Sequence, residues 1–359
     1  NNIFIGNSGT TARILTGLLA THPGKFYLYG DDSMNRRDMS RVFNPLKKIG
    51  AFFYPSAKKT LPITIEGTTM PLAQNHIENL GSAQVKTCLL AAFLNTPGYS
   101  TIEQKKSSRN HSEIILKKIG ADIKIKKLKK GNLILLKGQK NLHSFNYKVS
   151  SDPSSAAFLV ALALLTPNSK ITIHDCICNK SRMGFYKVLK EKAGANIKIT
   201  NLKRSKDSGE LIGSIIARSS RLKPINCPKE LIPSLVDELP ILFVIASLTK
   251  GISKFKQINE LTKKESNRID EMKNFLTQAG VICKSTKSSM IIYGKDKLKN
   301  KDKLVLVKTK GDHRICMSSL IFSLIAGVRT KIENFETVNT SFPGFIRLIR
   351  EIGGKIETK

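Results

Sequence analysis

Long hydrophobic runs are missing from this sequence of 359 residues. No stretch approaches the roughly 18 uninterrupted apolar residues that a membrane-spanning helix requires. The first residues also do not combine a basic segment with an apolar run, as a secretory signal does. We therefore expect a cytoplasmic protein that has no membrane partner.

Cysteine is scarce as well, with six residues scattered through apolar stretches. This distribution argues against a disulfide framework in a chain of this size. Cys176 and Cys178 form a CxC pair, but no second Cys or His pair stands at the spacing of a zinc site. Two side chains on one face of a strand is the favoured interpretation and zinc binding is the alternative. We predict no metal and no other cofactor.

Acidic residues are few, since 27 Asp and Glu stand against 60 Lys and Arg, and the formal charge is +33. Such a surplus is compatible with binding to the phosphate backbone of a nucleic acid. The lysines are spread along the chain, however, without interleaved aromatic residues and without a helix-turn-helix or RNA-binding signature. We predict mostly solvated lysines and no nucleic-acid partner, with nucleic-acid binding as the less favoured alternative. Small polyanionic substrates fit the charge too.

Repetition is the most informative feature that the sequence does contain. Five segments combine a polar start with an apolar helix, at residues 6–19, 81–94, 152–165, 237–248 and 311–326. The starts carry Gly, Asp or Ser, and the bodies are too apolar on all sides for a surface helix. We expect all five helices to be buried.

A turn, a short strand and an amphipathic helix follow each apolar helix, and the amphipathic helix runs into a further strand. The amphipathic helices end at glycines suited to a left-handed backbone conformation. These glycines are Gly50, Gly120, Gly194, Gly280 and Gly353. Their separation is too long for a solenoid repeat and long enough for a complete βαβαββ unit.

Five such units predict an α/β protein with two domains. Three units around a common axis could bury their apolar helices together, so two domains of this kind need six units. The polar stretch SSDPSS at residues 150–155 marks the expected domain change. We assign residues 1–150 to a first domain with two units and residues 151–359 to a second domain with three, and we expect one N-terminal unit to be missing.

Polar segments occur at the starts of the predicted buried helices or in the loops beside them, at residues 7–13, 35–38, 81–86, 237–238, 263–268 and 311–314. Backbone amides and the helix dipole can hold an anion at such a place, although capping also explains polar residues there. Capping does not explain Gln84 and Lys86, which lead into a buried helix. Equivalent places in successive repeats converge in space, so these segments are candidates for a functional site.

Eight short strings follow one another along the chain: GNSGTTAR, SAQVK, SRNHSE, DPSSAAF, VDELPIL, KESNR, GDHRICMS and TSFPGF. In this combination the sequence resembles the enolpyruvylshikimate-phosphate synthases, nearest to the branch that includes glyphosate-tolerant bacterial forms. The resemblance implies a two-domain enolpyruvyl transferase-like fold, with three βαβαββ units and buried helices in each domain, and a monomer. The family's N-terminal segment, whose lysine and serine touch both substrates, has no counterpart before Asn1. We therefore expect an incomplete active site.

The resemblance also implies a reaction, the transfer of the enolpyruvyl group of phosphoenolpyruvate to the 5-hydroxyl of shikimate 3-phosphate with release of phosphate. Asp237 matches the carboxylate that accepts the hydroxyl proton, and Glu265 matches the one that protonates and deprotonates the methylene carbon. The positions that match phosphoenolpyruvate contacts are Gly9, Arg37, Gln84, Arg268 and Arg314. The positions that match shikimate 3-phosphate contacts are Ser82, Ala83, Gln84, Arg109, Asp237 and Lys264.

Three positions depart from the family pattern. Asp38 stands where relatives often carry Pro, Asn267 where they usually carry Asp, and Thr340 where another branch has Lys. The changes at Asp38 and Asn267 touch loop geometry but remove neither a proton carrier nor a phosphate clamp. At Thr340 the cation of that other branch is unavailable. UDP-N-acetylglucosamine enolpyruvyl transferase shares the fold and is one alternative, which KESNR and SAQVK argue against. A non-catalytic binder of anions or nucleic acid is the other.

Overall fold

The computed structural model describes residues 1–296 and 304–357. The chain forms two compact units. The first unit comprises Asn1–Lys148 and Lys206–Glu210, and the second comprises Val149–Ser205 and Leu211–Lys359. Each unit encloses its own hydrophobic core.

The short segment Lys206–Glu210 differs from the sequence expectation, which assigned all of residues 151–359 to one body with a single passage of the chain. Contacts of Glu210 and Gly209 contribute to its attachment to the first unit. The Glu210 carboxylate pairs with His111 Nδ1 at 2.5 Å, and Gly209 lies against the side chain of Ile114. Contacts between residues so distant in sequence leave no local periodicity by which they could have been predicted.

The first unit contains two four-stranded sheets and the helices that connect their strands. Its strands are β1 (Asn2–Phe4), β2 (Gly24–Tyr29), β3 (Phe52–Tyr54), β4 (Ile63–Gly67), β5 (Asn75–Glu78), β6 (Tyr99–Gln104), β7 (Asp122–Lys127) and β8 (Asn132–Lys137). Its helices are α1 (Gly9–Leu19), α2 (Asp32–Asn35), α3 (Ser40–Ile49), α4 (Ala83–Phe93) and α5 (His111–Lys118).

The second unit is built from the same kinds of element. Its strands are β9 (Lys170–Ile177), β10 (Asn196–Arg204), β11 (Leu211–Arg218), β12 (Gly251–Lys256), β13 (Ile282–Thr286), β14 (Ser289–Gly294), β15 (Val305–Val307) and β16 (Thr330–Ile332). Its α-helices are α6 (Pro153–Leu165), α7 (Gly184–Lys192), α8 (Leu239–Ser247), α9 (Arg268–Gln278), α10 (His313–Ala326) and α11 (Phe345–Glu351). Short 3₁₀ helices cover Lys180–Arg182, Lys229–Ser234, Val236–Glu238, Asn259–Lys263 and Phe335–Thr340.

Strand pairing confirms the predicted βαβαββ repeat in the first four units, and no strand follows α11 within the described residues 352–357. In the first repeat β1 lies parallel to β2, and β4 pairs antiparallel with both β2 and β3, and the second repeat copies this order with β5, β6, β8 and β7. In the third and fourth repeats the first strand shrinks to a single parallel bridge, Ser151 to Cys176 and Asn226 to Lys254. The fifth repeat contributes the parallel pair of β15 and β16.

The predicted apolar helices form the cores, with one exception. Helices α6, α8 and α10 pack against one another in the second unit, and every residue of α8 is buried. In the first unit α1 packs against α4 so closely that a Cβ atom on Gly17 would lie 2.1 Å from the carbonyl oxygen of Cys88. The expectation of a fully buried helix is wrong for α1, because Thr10, Thr11 and Leu18 are exposed.

The amphipathic helices α3, α5, α7, α9 and α11 end as predicted. The five glycines at or just after their last turns all have positive φ angles, from 71° at Gly194 to 115° at Gly50. A residue with a side chain is strained in this region of backbone space. The glycines therefore stop each helix and turn the chain toward the next segment.

We expect Gly17→Ala to destabilise the protein by about 1–3 kcal/mol, because the added methyl group has no room between α1 and α4. At an exposed helix position a glycine-to-alanine change would stabilise the protein by up to about 1 kcal/mol. The sign of the change in unfolding free energy therefore shows whether position 17 is closely packed. The midpoint of urea unfolding measures it, and Leu18→Ala on the exposed side of α1 is the control. Unchanged or increased stability of Gly17→Ala would contradict the close packing of the two helices.

Candidate active site

The buried helices begin at polar residues, and most of these residues are caps. The side chains of Ser8, Ser82, Asp152 and Asp312 accept hydrogen bonds from backbone amides in the first turns of α1, α4, α6 and α10. Helix α8 is different, because it follows the 3₁₀ turn Val236–Glu238 and has no side-chain cap within the described part of the chain. Capping therefore does not explain Asp237.

In the first unit, two guanidinium groups flank Gly9. A Cβ atom on this glycine would lie 2.7 Å from Arg13 Nη1 and 3.2 Å from Arg37 Nη1. Arg37 also donates from Nη2 to the Asn7 side-chain oxygen at 2.5 Å. Glycine is thus the residue that leaves room for both cations at the start of α1.

Arg13 links this turn to the start of α4. Its Nη1 donates to the Gly9 carbonyl at 3.0 Å and to Gln84 Oε1 at 2.9 Å, and Gln84 Nε2 donates to Thr10 Oγ1 at 2.8 Å. Burial, and then the positive charge of Arg37, lower the pKa of Arg13. Two guanidinium groups this close to one another favour an anion as the third member of the group.

The start of α4 lies beside the loop that carries Arg109. Ser82 caps the helix and Ala83 is its first residue. One turn later, Lys86 Nζ donates to the Arg109 carbonyl at 2.5 Å and to Glu113 Oε1 at 2.7 Å. The side chain of Lys86 is fully buried, so this lysine is neither a cap nor a solvated surface charge.

In the second unit, Arg268 is the centre of a cluster of charges and its side chain is only 1% exposed. Its Nε and Nη2 donate to the two oxygens of Asp312 at 2.8 and 3.3 Å. Nη2 also donates to Glu265 Oε2 at 2.6 Å. Burial acts to lower the pKa of Arg268, but the carboxylates of Asp312 and Glu265 outweigh burial and raise it.

Asp237 meets two cations in the same cluster. Its Oδ1 lies 3.3 Å from Lys264 Nζ and 3.7 Å from Arg268 Nη1. Arg314 Nη1 donates to the backbone carbonyl of Asp237 at 3.1 Å, which holds the 3₁₀ turn against the start of α10. The five predicted residues of this unit, Asp237, Lys264, Glu265, Arg268 and Arg314, are therefore brought together.

One donor atom of Arg268, Nη1, differs from the others. Within residues 1–296 and 304–357, the buried Nη1 atom has no hydrogen-bond partner, although Asp237 lies at ion-pair distance. Buried donors without a partner are uncommon and costly in folded proteins. A desolvated guanidinium edge next to two carboxylates is suited to grip an anionic ligand.

His313 adds a neutral group at the start of α10. Burial and the positive charge of Arg314 lower its pKa to about 4, so the imidazole carries no charge near pH 7. Deeper in the unit, Ser154 donates to the Glu238 carboxylate and accepts a hydrogen bond from Arg182 Nη2 at 2.6 Å. Burial raises the pKa of Glu238.

The sequence interpretation missed several members of these clusters. Arg13 and Asp312 stand in strings that were singled out, but no role was assigned to them. Lys86 was noticed only as a residue that capping does not explain, and its partner Glu113 gave no signal. A charged residue inside an apolar helix pattern is the signal that could have found Arg13 and Lys86.

The three departures from the family pattern serve local structure. Asp38 accepts a hydrogen bond from the Ser40 amide at 2.7 Å, Asn267 caps α9, and Thr340 donates to the Thr337 carbonyl at 2.7 Å. The CxC pair is buried, and burial raises the pKa of Cys176 to about 12. Among the residues that the structure describes, no three His, Cys, Asp or Glu side chains are grouped to hold a metal, and no helix could cross a membrane.

Comparison with known proteins connects these clusters to one family. The family model for EPSP synthase (3-phosphoshikimate 1-carboxyvinyltransferase) matches residues 1–349. The chain belongs to the EPSP synthase family. It is 36% identical to the 3-phosphoshikimate 1-carboxyvinyltransferase of Paramagnetospirillum magneticum over 98% of this chain and 78% of the relative. It is 38% identical to that of Bartonella quintana over 98% of this chain and 79% of the relative.

Solved structures agree with this membership. EPSP synthase from Acinetobacter baumannii superposes with a TM-score of 0.85 at 33% identity, covering 99% of this chain and 80% of that one. The enolpyruvyl transferase NikO from Streptomyces tendae gives a TM-score of 0.70 at 10% identity, covering 96% of this chain and 76% of that one, which is a likeness of fold alone. The predicted enolpyruvyl transferase-like fold is confirmed.

We expect Asp312→Asn to destabilise the protein by about 3 kcal/mol near pH 7, because it removes a buried carboxylate that faces Arg268. Burial acts to raise the pKa of Asp312, but Arg268 outweighs burial and lowers it. The carboxylate therefore stabilises the fold above the unfolded pKa of about 3.9, and this contribution is lost as the pH falls through the lower folded pKa.

Urea unfolding of wild type and variant between pH 7 and pH 3 tests this expectation. The stability difference should stay constant above about pH 5 and shrink in more acidic solution. Glu66→Gln is the control, since its partner Lys25 is 67% exposed and such pairs contribute at most about 1 kcal/mol. A difference that does not depend on pH would contradict the ionised Asp312.

Proposed function

We propose that this protein transfers the enolpyruvyl group of phosphoenolpyruvate to the 5-hydroxyl of shikimate 3-phosphate, the reaction of its family in aromatic amino acid biosynthesis. The observation that carries this proposal is the Arg268 cluster. It holds a buried guanidinium with one unpartnered donor, Nη1, between the carboxylates of Asp237 and Glu265. Cations for an anionic substrate and carboxylates for proton transfer are what the reaction requires.

Phosphoenolpyruvate carries a phosphate and a carboxylate, and guanidinium groups bind both in a bidentate manner. We assign this role to Arg37 beside Gly9 and to Arg268 and Arg314, with Gln84 as a further contact. Arg37 approaches the Gly9 position in the first unit, and Gln84 is oriented by Arg13. Arg268 and Arg314 both contact Asp237 in the second unit.

We assign the contacts to shikimate 3-phosphate residue by residue, first within the first unit and then within the second. Ser82, Ala83 and Gln84 present hydroxyl, backbone amide and amide groups at the first turn of α4, where the helix dipole favours a phosphate. Arg109 supplies a cation from the neighbouring loop. Asp237 and Lys264, 3.3 Å apart, would contact the sugar-like ring and its hydroxyl groups.

Proton transfer is assigned to the two carboxylates with partial exposure. Asp237 (18% exposed) takes the proton of the 5-hydroxyl group. At the same time the 5-oxygen of shikimate 3-phosphate bonds to C2 of phosphoenolpyruvate. Glu265 (28% exposed) gives a proton to C3. In the second step Glu265 takes a proton back from C3, the double bond re-forms and phosphate leaves with the electrons of the C2–O bond. Both carboxylates contact Arg268, at 3.7 Å for Asp237 and 2.6 Å for Glu265.

Release of phosphate from phosphoenolpyruvate by the full-length protein tests the function. We expect release only when shikimate 3-phosphate is present. Dependence on UDP-N-acetylglucosamine would indicate the other enolpyruvyl transfer reaction. Binding of shikimate 3-phosphate without phosphate release would indicate a non-catalytic anion binder.

Our proposal includes the organisation of the protein. We propose two domains that divide at residue 150, with the segment Lys206–Glu210 belonging to the first, and a cytoplasmic monomer that binds small-molecule substrates but neither nucleic acid nor membrane. The separate hydrophobic cores of the two units support the division. Sedimentation at several concentrations tests the monomer, and a filter-binding assay with duplex DNA and RNA at physiological salt tests the absence of nucleic-acid binding.

We expect Asp237→Asn and Glu265→Gln each to lower kcat by about 10² or more, because each removes a proton carrier of the transition state. Affinity for both substrates should change much less, since the amide keeps the size of the carboxyl group. Steady-state kinetics of the full-length protein provide the measurement. Glu260→Gln is the control, because this residue also contacts Lys264 but is 60% exposed. An equal loss of kcat in all three variants would contradict the proton-transfer roles assigned to Asp237 and Glu265.

We expect glyphosate to inhibit the enzyme in competition with phosphoenolpyruvate, because Gly9 leaves space for a longer ligand. Gly9→Ala should raise the inhibition constant more than the Michaelis constant. The added methyl group would approach Arg13 Nη1 to 2.7 Å and Arg37 Nη1 to 3.2 Å, so it would narrow the site. Inhibition kinetics of both enzymes measure the two constants. Equal shifts, or tolerance already present with Gly9, would show that this position does not control selectivity.

A further inference from the structure

The pair of Lys86 and Glu113 is buried in the first unit without a role in the proposed chemistry. The side chain of Lys86 is 0% exposed and that of Glu113 is 4% exposed, with Nζ and Oε1 2.7 Å apart. Burying two charges costs several kcal/mol of desolvation, and apolar residues of the same size are often at least as stable. Stability alone is therefore a poor explanation for this pair.

Its hydrogen bonds point to a different purpose. Lys86 Nζ donates to the backbone carbonyl of Arg109 at 2.5 Å in addition to Glu113. Lys86 lies on α4, one turn after Ser82 and Ala83, and Glu113 lies in the first turn of α5, directly after the Arg109 loop. The ammonium group thus fastens the backbone at Arg109 and the start of α5 to the start of α4.

A second contact lies at the same loop. His111, two residues after Arg109, pairs through Nδ1 with Glu210 at 2.5 Å. One oxygen atom and one nitrogen atom of these side chains, Glu113 Oε2 and His111 Nε2, are buried without a hydrogen-bond partner in the described part of the chain. Incomplete satisfaction is unusual for a network that serves only to stabilise the fold.

We propose that Lys86 and Glu113 are positioning residues, which hold the Arg109 loop on α4 so that Arg109 and Ser82 meet the phosphate of shikimate 3-phosphate together. This inference rests on the proposed function, in which Arg109 and Ser82 contact that substrate. A flexible arginine pays an entropy cost when it is immobilised by a ligand, and a fixed loop backbone reduces this cost in advance. Neither Lys86 nor Glu113 needs to touch the substrate.

The double variant Lys86→Met/Glu113→Leu tests the inference on the full-length protein. It removes one positive and one negative charge, so the net charge that attracts the anion is unchanged. We expect an unfolding midpoint equal to or above that of wild type, as apolar replacement of a buried pair predicts. The dissociation constant for shikimate 3-phosphate, measured by titration calorimetry, should rise about tenfold, which corresponds to one misplaced contact. The KM for phosphoenolpyruvate should not change.

Two further variants separate the inference from the proposed function. Lys105→Met/Glu103→Leu removes an exposed ion pair that adjoins the same loop, and it should bind shikimate 3-phosphate like wild type. Arg109→Leu should weaken binding of that substrate. If Arg109→Leu binds weakly and the Lys86/Glu113 double variant binds like wild type, the inference is wrong and the proposed function stands. If Arg109→Leu itself binds like wild type, the assigned contact fails and the inference fails with it.

If the Lys86/Glu113 double variant does not fold, Glu113→Gln provides the test instead. Glutamine keeps the shape of the side chain and weakens its interaction with Lys86. Weaker binding of shikimate 3-phosphate with an unchanged KM for phosphoenolpyruvate supports the inference. Wild-type affinity in Glu113→Gln overturns it.

Discussion

Burial of one apolar helix per repeat is the constraint on which the rest of the structure depends. A helix such as α8, with every residue buried, reaches the surface of its unit only at its ends. Its first amides have no partners within the helix and need caps or ligands. Polar residues therefore collect at the helix starts, and the groups suited to chemistry stand beside the caps. Asp312 serves both purposes, because it caps α10 and holds Arg268.

The shortage of acidic residues gives the buried ones particular weight. With 27 acidic residues against 60 basic ones, most cations have no carboxylate to pair with. Arg268 nevertheless contacts three carboxylates, and Lys86 contacts one in a fully buried place. Buried carboxylates are thus found where a cation is held at a fixed position. The solvated lysines need no such partner, because water screens their mutual repulsion.

The repeat and its glycines could be predicted from sequence because they are local and periodic. Each apolar helix, each amphipathic helix and each left-handed glycine such as Gly50 leaves a signal within about twenty residues. The start of α8 could not be decided in this way, since an acidic pair there fits a cap and a catalytic carboxylate equally well. In the structure, α8 has no side-chain cap within the described part of the chain, and Asp237 instead contacts Lys264 and Arg268.

Long-range pairing is what sequence reasoning could not supply. Arg268 and Asp312 are 44 residues apart, and His111 and Glu210 are 99 apart, so no window of local pattern contains both partners. The attachment of Lys206–Glu210 to the first unit follows from such a contact. The partial exposure of α1 was missed for a different reason. The apolar residues of this helix dominated the sequence pattern, although Thr10 and Thr11 are polar and exposed.

The neighbouring carboxylates Asp237 and Glu238 show why geometry has to decide a catalytic assignment. Glu238 is 2% exposed, burial raises its pKa, and its partner is the hydroxyl of Ser154. A proton on Glu238 could not be exchanged with a substrate without opening the core. Asp237 keeps 18% of its side chain exposed and faces Lys264 at 3.3 Å and Arg268 at 3.7 Å. Of these two adjacent acids, Asp237 is the one that keeps partial exposure beside the cations Lys264 and Arg268.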